Sequence, residues 1–399
     1  MTRMTATTDY SDASSAVRGR VLAVGAGLTC AVIGRELAEA GYRVEIIESR
    51  PYIAGNCYTD VDPQTGIMMH VHGPHIFHTD NDQVWAYVNR FADFRPYICQ
   101  VKATTGGRVY SLPINLLTIN QFFGKTFSPA EAQTFIDGRA DHSIQEVRSF
   151  QDQALRFLGP ELYEAFFKGY PIKQWGIHPS ELPASVLKRL PIRFNYNDNY
   201  FNHRHQGIPA KGYTEMVGRI LSHERITVSI NRKVTPADIA GYDHVFYSGP
   251  VDAWFDYELG QLGYRTLDFE ISRHKGDYQG CAVMSYPEEN VPFTRITEHK
   301  HFAPWEDHAE TVVFHEYSRF CGKDDIPYYP IRLVDETKML RRYVDRAEAQ
   351  SGVSFVGRLG SYKYMDMDVT IAEALDAARR FVKLHSRQTV VPAFFSAPL

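Results

Sequence analysis

The sequence is poor in the features that mark several large classes of protein. Its five cysteines are odd in number and include no Cys-x-x-Cys pair, which argues against a disulfide framework or a dithiol redox site. No apolar run approaches the roughly 20 residues of a membrane-spanning helix. With 43 basic and 47 acidic residues the net charge is −4, so the cationic surface that nucleic acids require is missing. These absences favour a reduced, cytoplasmic protein with no membrane insertion and no nucleic-acid partner.

The length and the N-terminal composition set the outer organisation of the chain. Residues 1–19 are rich in Ser, Thr, Ala and Asp and have no apolar core. This composition predicts a disordered N-terminal tail and not a signal peptide. The rest of the 399 residues exceed one compact core, so we expect two or three domains.

A dinucleotide-binding motif opens the ordered part of the chain. An apolar strand leads into Gly25 and Gly27, and a second strand, Arg43–Ile47, ends at Glu48. Gly25 permits the tight turn, Gly27 lets backbone N–H groups approach a pyrophosphate, and the carboxylate about 20 residues later suits a ribose hydroxyl. Cys30 stands where the third glycine is usual, and its small side chain still allows close packing of helix on strand. The order of elements predicts a βαβ nucleotide site.

The residues after Glu48 separate the two common dinucleotides. A second glycine-bearing turn follows, with Ser49, Gly55 and Asn56, and it resembles the extended signature of FAD-binding proteins of the glutathione-reductase and amine-oxidase type. No second Gly-x-Gly-x-x-Gly appears downstream for a nicotinamide cofactor. FAD is therefore the predicted cofactor, and NAD is the alternative.

Periodicity predicts an α/β fold: a discontinuous Rossmann-like FAD-binding domain with an inserted helical domain and an antiparallel β-sheet domain. Ser128 to Glu131 form a capping box with proline at the first helical position, and 143–158 keep helical spacing. Strand-like runs at 226–230 and 244–247 are expected to rejoin the FAD domain, and those at 281–284 and 311–314 to form the other sheet. The expected bounds are 20–95, 206–260 and 350–390 for the FAD domain, 116–190 for the helical substrate domain with its mobile loop, and 96–115, 191–205 and 261–349 for the sheet domain.

Several ordered blocks closely resemble the prokaryotic UDP-galactopyranose mutases. The clearest are Gly-Tyr-Pro-Ile-Lys-Gln-Trp-Gly at 169–176, Gly-Pro-His-Ile-Phe-His-Thr at 73–79 and Gly-Arg-Leu at 357–359. The resemblance covers nearly the whole chain. It implies an FAD-dependent isomerase that contracts UDP-galactopyranose to UDP-galactofuranose, a precursor for the cell envelope, by covalent catalysis through N5 of the reduced flavin. It also implies a homodimer and an external reductant of unknown identity.

The resemblance assigns roles to individual residues. The implied catalytic residues are Arg189, Arg295 and His75. The implied substrate-binding residues are Phe166, Phe167, Tyr170, Trp175, Arg189, Tyr200, Arg295, Tyr329 and Tyr364. The cofactor-binding residues, from the motif and the resemblance together, are Gly25, Gly27, Leu28, Thr29, Glu48, Ser49, Gly55, Asn56, His75, Ile76, Arg358, Tyr364, Asp366 and Met367. Two positions depart from commoner relatives, Pro171 for threonine and Cys99 for asparagine, and Arg265 is a weaker candidate for phosphate binding.

Other interpretations remain open at this level. His70, His72, His75 and His78 have a spacing that suggests a metal, but no carboxylate or cysteine set accompanies them, so no metal is predicted. Asp366 alone suits the cap of a helix that begins near residue 369. Alternative functions are a flavin-dependent amine oxidase or desaturase, which shares the expected fold, and a non-catalytic nucleotide-sugar sensor.

Overall fold

The computed structural model describes residues 17–184, 192–331 and 334–398. Its strands are β1 (Arg20–Val24), β2 (Arg43–Ile47), β3 (Thr59–Val61), β4 (Met68–His70), β5 (Phe77–Thr79), β6 (Phe94–Pro96), β7 (Val101–Thr105), β8 (Arg108–Leu112), β9 (His205–Pro209), β10 (Ile226–Ser229), β11 (His244–Tyr247), β12 (Tyr264–Lys275), β13 (Val283–Ser285), β14 (Arg295–Glu298), β15 (Glu310–Phe320), β16 (Tyr329–Pro330) and β17 (Val353–Phe355). Its α-helices are α1 (Leu28–Glu39), α2 (Asp82–Asn89), α3 (Leu116–Phe123), α4 (Pro129–Asp137), α5 (Phe150–Leu158), α6 (Pro160–Leu162), α7 (Gly169–Trp175), α8 (Gly212–Leu221), α9 (Val251–Trp254), α10 (Val334–Glu348), α11 (Gly357–Gly360) and α12 (Met367–Ser386). In the described ranges, no helix combines the length and the apolar character needed to cross a membrane.

A parallel sheet with the strand order β10-β2-β1-β11-β17 forms the nucleotide-binding core. The residues Val21, Leu22 and Ala23 of β1 are fully buried because helices cover both faces. Helices α1, α8 and α12 share one apolar cluster with this sheet, and α10 belongs to the cluster on the other face. Strands β10 and β11 join this sheet, as their sequence pattern predicted, and the predicted α/β fold class is confirmed.

The second sheet has the order β16-β12-β15-β14-β13-β7-β8. Its centre is the long antiparallel pair of β12 and β15, whose register runs from Arg265 opposite Phe320 to Lys275 opposite Glu310. The sheet is antiparallel except where β13 lies parallel to β7. This arrangement brings the first residue of β14, Arg295, beside Glu316 of β15.

The helices α3 to α7 pack around an apolar cluster that also includes Ala103 of β7 and Tyr110 of β8. The predicted capping box is present, since Ser128 and Glu131 cap each other's backbone groups and Pro129 is the first helical residue. The prediction of a helix from residue 143 was wrong at its start. Helix α5 begins at Phe150 because Ser149 accepts a hydrogen bond from the backbone N–H of Asp152 and thereby caps it.

Helix α10 requires one correction to the expected domain bounds. Residues 261–349 were expected to belong to the sheet domain, but Leu340, Tyr343 and Val344 of this helix are buried together with Leu22 and Val245 of the parallel sheet. The helix therefore packs as part of the nucleotide-binding unit, because its apolar stripe covers that sheet's second face. The remaining bounds of the three domains stay our proposal.

Candidate active site

The turn between β1 and α1 has the geometry of a phosphate-binding loop. Gly25 has φ +104°, and a Cβ there would lie 2.3 Å from the Ser248 hydroxyl oxygen, so only glycine fits without strain. Gly27 is the N-cap of α1, which begins at Leu28 and continues through Thr29. The positive end of the α1 dipole and its unpaired N–H groups therefore face the space beyond this turn. Cys30 lies fully buried behind it, between α1 and the sheet.

Glu48 ties the phosphate turn to the second glycine-bearing turn. Its carboxylate is buried and accepts hydrogen bonds from the backbone N–H of Ala26 at 2.8 Å and of Arg50 at 2.8 Å. Gly55 has φ +57°, and a Cβ there would lie 3.2 Å from the Cα of Gly27. The two turns are thus in backbone contact, and no side chain at either glycine blocks the approach of a pyrophosphate to the N-terminus of α1.

Neighbouring side chains complete this end of the site. The Asn56 amide accepts from Arg50 at 2.9 Å and donates to the carbonyl of Pro327 at 3.1 Å. The Ser49 hydroxyl donates to Glu48 at 3.3 Å. These bonds connect the dinucleotide turn to the segment that precedes β16, and therefore to the second sheet.

A half-buried group of aromatic rings lies around Arg358. Tyr329 and Tyr364 stack with centroids 5.8 Å apart, and Trp175 meets Tyr329 edge-on at 6.0 Å. The Arg358 guanidinium carbon is 5.0 Å from the ring centroid of Tyr364, and its nitrogens donate to the carbonyls of Tyr328 and Met365. Three predicted substrate residues therefore meet at one place, although they come from α7, β16 and the loop before α12.

Arg295 forms a buried ion pair that sequence reasoning missed. Its Nε and Nη2 donate to one carboxylate oxygen of Glu316 at 2.8 and 2.7 Å. Glu316 is 1% exposed and also accepts from the Thr294 hydroxyl at 3.1 Å. Burial disfavours the charged guanidinium, but the Glu316 carboxylate more than offsets it and raises the pKa of Arg295. A signal was present, because Val312, Phe314 and Glu316 alternate along β15 and share one face.

Tyr170 lies within the field of this ion pair. Burial raises the pKa of the Tyr170 hydroxyl, while the charge of Arg295 opposes the rise and that of Glu316 adds to it. Burial likewise raises the pKa of Tyr329. Both hydroxyls are therefore protonated at neutral pH and able to donate a hydrogen bond. Tyr200 is close enough to Tyr170 to influence its pKa.

His75 is held by three hydrogen bonds to its own turn and to α8. Its backbone N–H donates to His70 at 2.9 Å, its Nδ1–H donates to the carbonyl of Gly73 at 2.8 Å, and its carbonyl accepts from Tyr213 at 3.1 Å. Burial, with a smaller contribution from the charges of Arg358 and Arg295, lowers the pKa of His75 to about 4. The imidazole is therefore neutral, and Nε2 is left as the acceptor. Ile76, the next residue, is buried.

The four-histidine block does not converge on one point. His72 bridges the hydroxyls of Tyr52 at 2.9 Å and Tyr328 at 2.7 Å. His78 instead lies 3.1 Å from the ring nitrogen of His203. Each ring thus has its own neighbours within the fold, and the spacing reflects two short strands and the turn between them.

Other predicted residues lie apart from the cluster or have a structural role. Phe166 and Phe167 are 5% exposed and pack against Tyr110, Phe122 and Phe150 in the helical core, and that their rings surround the uracil stays a prediction. Arg265 donates to the Lys173 carbonyl and the Ser318 hydroxyl, which makes it structural.

Asp366 is the N-cap residue of α12, but its side chain makes no capping bond, and Met367 begins the helix. Arg189 lies outside the described residues.

Comparisons with known proteins agree with this geometry. A model of NAD(P)-binding Rossmann-like domains matches residues 24–91. A solved structure of reduced UDP-galactopyranose mutase superposes with a TM-score of 0.71 at 14% identity, covering 92% of this chain and 96% of the other, which shows the same fold. Fold and site together define a nucleotide-binding enzyme with a Rossmann-type domain.

Sequence relatives give the family. The UDP-galactopyranose mutase family model matches residues 165–364. A probable UDP-galactopyranose mutase of Klebsiella pneumoniae is 58% identical over 94% of this chain and 97% of its own length. A dTDP-fucopyranose mutase of Escherichia coli is 50% identical, covering 91% of this chain and 98% of its own. The chain belongs to the UDP-galactopyranose mutase family, and it is therefore an isomerase.

The buried histidines predict a loss of stability in mild acid. Burial lowers the pKa of His72 and His244 to about 3 and of His75 and His299 to about 4, whereas the unfolded chain titrates near 6.5. Their stabilisation is complete above pH 6.5 and is lost as the pH falls towards 4, at about 1.4 kcal/mol per pH unit for each residue. Asp252 opposes the trend, since burial raises its pKa to about 6.

Thermal unfolding followed from pH 7.5 to 5.0 tests this prediction. The melting temperature should fall steadily, and His244→Asn should make the fall shallower. His142→Asn, at an exposed position, is the matched control and should leave the slope unchanged. A melting temperature that stays constant across this range would contradict the prediction.

Proposed function

We propose that the enzyme interconverts UDP-galactopyranose and UDP-galactofuranose with bound FAD that is active in its reduced form. The observation that carries the proposal is the group of Trp175, Tyr329 and Tyr364 around Arg358, in a chain with a dinucleotide-binding fold. The charge of Arg295 also acts on Tyr329. Cationic and hydroxyl donors of this kind suit a diphosphate. The similar K. pneumoniae protein carries the same family name, and the similar solved mutase is a reduced form.

The residues present fit FAD. Gly27 and Gly55, which carry no side chains, and the N-terminus of α1 suit its pyrophosphate, and Glu48 retains lone pairs for a ribose hydroxyl. We assign the remaining contacts to Leu28, Thr29, Ser49, Asn56, His75, Ile76, Arg358, Tyr364, Asp366 and Met367, with Gly25 shaping the turn. When bound and reduced, FAD supplies N5 as a nucleophile for the anomeric carbon of the sugar.

The protein's own residues then bind, orient and stabilise charge. Arg295, fixed by Glu316, would balance the negative charge that develops on the diphosphate as UDP departs, which lowers the barrier more than it strengthens substrate binding. Tyr170 and Tyr329 donate hydrogen bonds to the same group. Neutral His75 offers an acceptor nitrogen at the flavin side. Arg189 is our proposed second diphosphate arginine.

Further features of the proposal rest on the family resemblance. We propose a cytoplasmic homodimer that receives electrons from an external reductant and supplies galactofuranose for the cell envelope. An amine oxidase or desaturase would share the fold but would consume its substrate, and a sensor would bind the sugar nucleotide without turnover. Mass balance on the sugar nucleotide separates these three functions.

The sugar nucleotide itself has a second candidate. The E. coli relative is a dTDP-fucopyranose mutase, and its substrate shares a nucleoside diphosphate with the proposed one. The Arg295 cluster suits the diphosphate of either. Parallel assays with UDP-galactopyranose and dTDP-fucopyranose decide between them. The one with the higher kcat/KM is the preferred substrate.

Activity should require reduced flavin without consuming the reductant. Purified protein should show flavin absorbance, and all of the flavin should be released on denaturation because no tethering motif is evident in the sequence. After reduction with dithionite, isomerisation should run for many turnovers per electron pair. Full activity with rigorously oxidised flavin, or folded protein with no affinity for FAD, would contradict the proposal.

Substitution of Arg295 should affect stability and catalysis separately. Arg295→Ala leaves the Glu316 carboxylate buried and unpaired, which should cost about 3–5 kcal/mol of folding free energy. The double variant Arg295→Met with Glu316→Gln removes both charges and should recover much of the melting temperature, but its kcat should stay roughly 10- to 150-fold low. The control is Arg319→Ala, because Arg319 is exposed and ion-paired and lies on β15, the strand of Glu316. Wild-type kcat in the stable double variant would exclude the catalytic role.

Trp175 should contribute to substrate binding more than to folding. Its ring is half-buried and meets Tyr329 edge-on, so Trp175→Ala should raise KM and the dissociation constant of UDP-galactose while flavin content stays normal. The matched control is Trp305→Ala, because Trp305 is 36% exposed. A core tryptophan would instead cost about 3–5 kcal/mol of stability, and unchanged affinity with a lowered melting temperature would establish that role.

A further inference from the structure

Lys173 of α7 places a cation inside a ring of main-chain carbonyls. Its ammonium donates to the carbonyls of Glu288 at 2.8 Å, Val291 at 3.0 Å and Phe293 at 3.0 Å, and also to that of Tyr286. All four acceptors belong to the segment between β13 and β14. An ammonium has three N–H donors, so four converging carbonyls saturate it and fold the segment around its charge.

The same segment packs against the start of α7 so closely that no side chain fits at Gly169. A Cβ on Gly169 would lie 2.2 Å from the carbonyl oxygen of Pro287 and 3.0 Å from the backbone nitrogen of Glu289. Helix and segment are therefore in direct backbone contact, and the Lys173 side chain secures that contact from the middle of the helix.

The far end of α7 is attached to the central strands of the second sheet. Arg265 of β12 donates to the Lys173 carbonyl at 3.1 Å, and the Ser318 hydroxyl of β15 donates to the Gln174 carbonyl at 2.8 Å. These bonds satisfy carbonyls of the last helical turn, which lack partners within the helix. Both ends of α7 are thus fixed to the sheet that carries Arg295.

This attachment joins the two sides of the proposed substrate pocket. Helix α7 carries Tyr170 and Trp175, and the caged segment leads through Thr294 directly into Arg295. We propose that Lys173 is a positioning residue: its ammonium sets α7, with Tyr170 and Trp175, at a fixed distance from the diphosphate-binding Arg295. The inference rests on the proposed function, which makes these three residues the substrate contacts.

The environment of Lys173 fits a positioning role better than a solubilising one. Burial lowers the pKa of its ammonium to about 8, and the nearby Glu288 and Glu289 carboxylates only partly offset this. Lys168, five residues earlier, instead makes an exposed i,i+4 pair with Glu164. The lysine that precedes α7 and the lysine within it therefore have different surroundings, and Lys168 offers a matched control.

The test uses full-length flavin-loaded enzyme and UDP as the probe. Lys173→Met should raise the dissociation constant of UDP and the KM of UDP-galactose roughly tenfold, with flavin content unchanged. Lys173→Arg should raise both values by less than Lys173→Met does. It should not restore the wild-type values, because a planar guanidinium cannot match four converging carbonyls. Gly169→Ala should act in the same direction through the same contact. Lys168→Met should bind UDP as the wild type does.

A double-variant cycle separates positioning from mere stability. If Lys173 acts by placing Trp175, Lys173→Met should weaken UDP binding much less in a Trp175→Ala background, whereas a general loss of structure would add in full. Additive effects, or wild-type UDP affinity in folded Lys173→Met, would overturn the inference; if Lys173→Met loses flavin and fold together, Lys173→Arg decides in the same way. Failure of the wild type itself to bind UDP would instead refute the proposed function.

Discussion

The buried carboxylate of Glu316 is the constraint around which the site is built. A carboxylate that is 1% exposed must be paired, because desolvation of an unpaired charge costs several kcal/mol. Arg295 provides the pair, and the Thr294 hydroxyl provides a further donor. The turn at Gly73 packs directly on this pair, since a Cβ there would lie 3.5 Å from both charged groups. One ion pair therefore fixes Arg295, the diphosphate-binding arginine of our proposal, and also supports the turn that leads to His75.

The turn at Gly73 carries the constraint across to the nucleotide-binding domain. From it, His75 bonds to His70 of β4 and to Tyr213 of α8, and α8 packs on α1 of the dinucleotide motif. The contacts are hydrogen bonds between fully or largely buried groups, which lose much if broken. The glycine turns of the dinucleotide motif and the ion pair of Arg295 are thus held in one geometry by a short series of buried polar contacts.

Features of the fold that depend on a few neighbouring residues could be predicted from the sequence. The βαβ unit, its glycine turns and the Ser128 capping box follow from backbone conformation and side-chain capping over a few residues, and each is present in the structure. The start of α5 was wrong because apolar spacing continued into a segment that Ser149 excludes from the helix. Phe166 and Phe167 were predicted at the ligand from family motifs, and those motifs do not show how a ring packs. The contacts of Phe166 with Tyr110 and Phe122 depend on long-range packing that no local pattern encodes.

The alternation along β15 indicates that Glu316 is buried, but the partners of Glu316 and Lys173 could not be assigned from sequence, because these partners are distant or have no side-chain signature. Glu316 matters through Arg295, which is 21 positions away, and Lys173 bonds to main-chain carbonyls that any residue would provide. The same distinction bears on the choice of substrate. In the proposed function, the Arg295 cluster recognises a diphosphate, which UDP-galactose and dTDP-fucose share, so it supplies chemistry without selecting the base or the sugar. In the same proposal, selection of the base and the sugar falls to other residues, and Tyr170 and Trp175 of α7 are our candidates. The position of that helix depends, by our inference, on a lysine whose ammonium bonds only to main-chain carbonyls among the described residues.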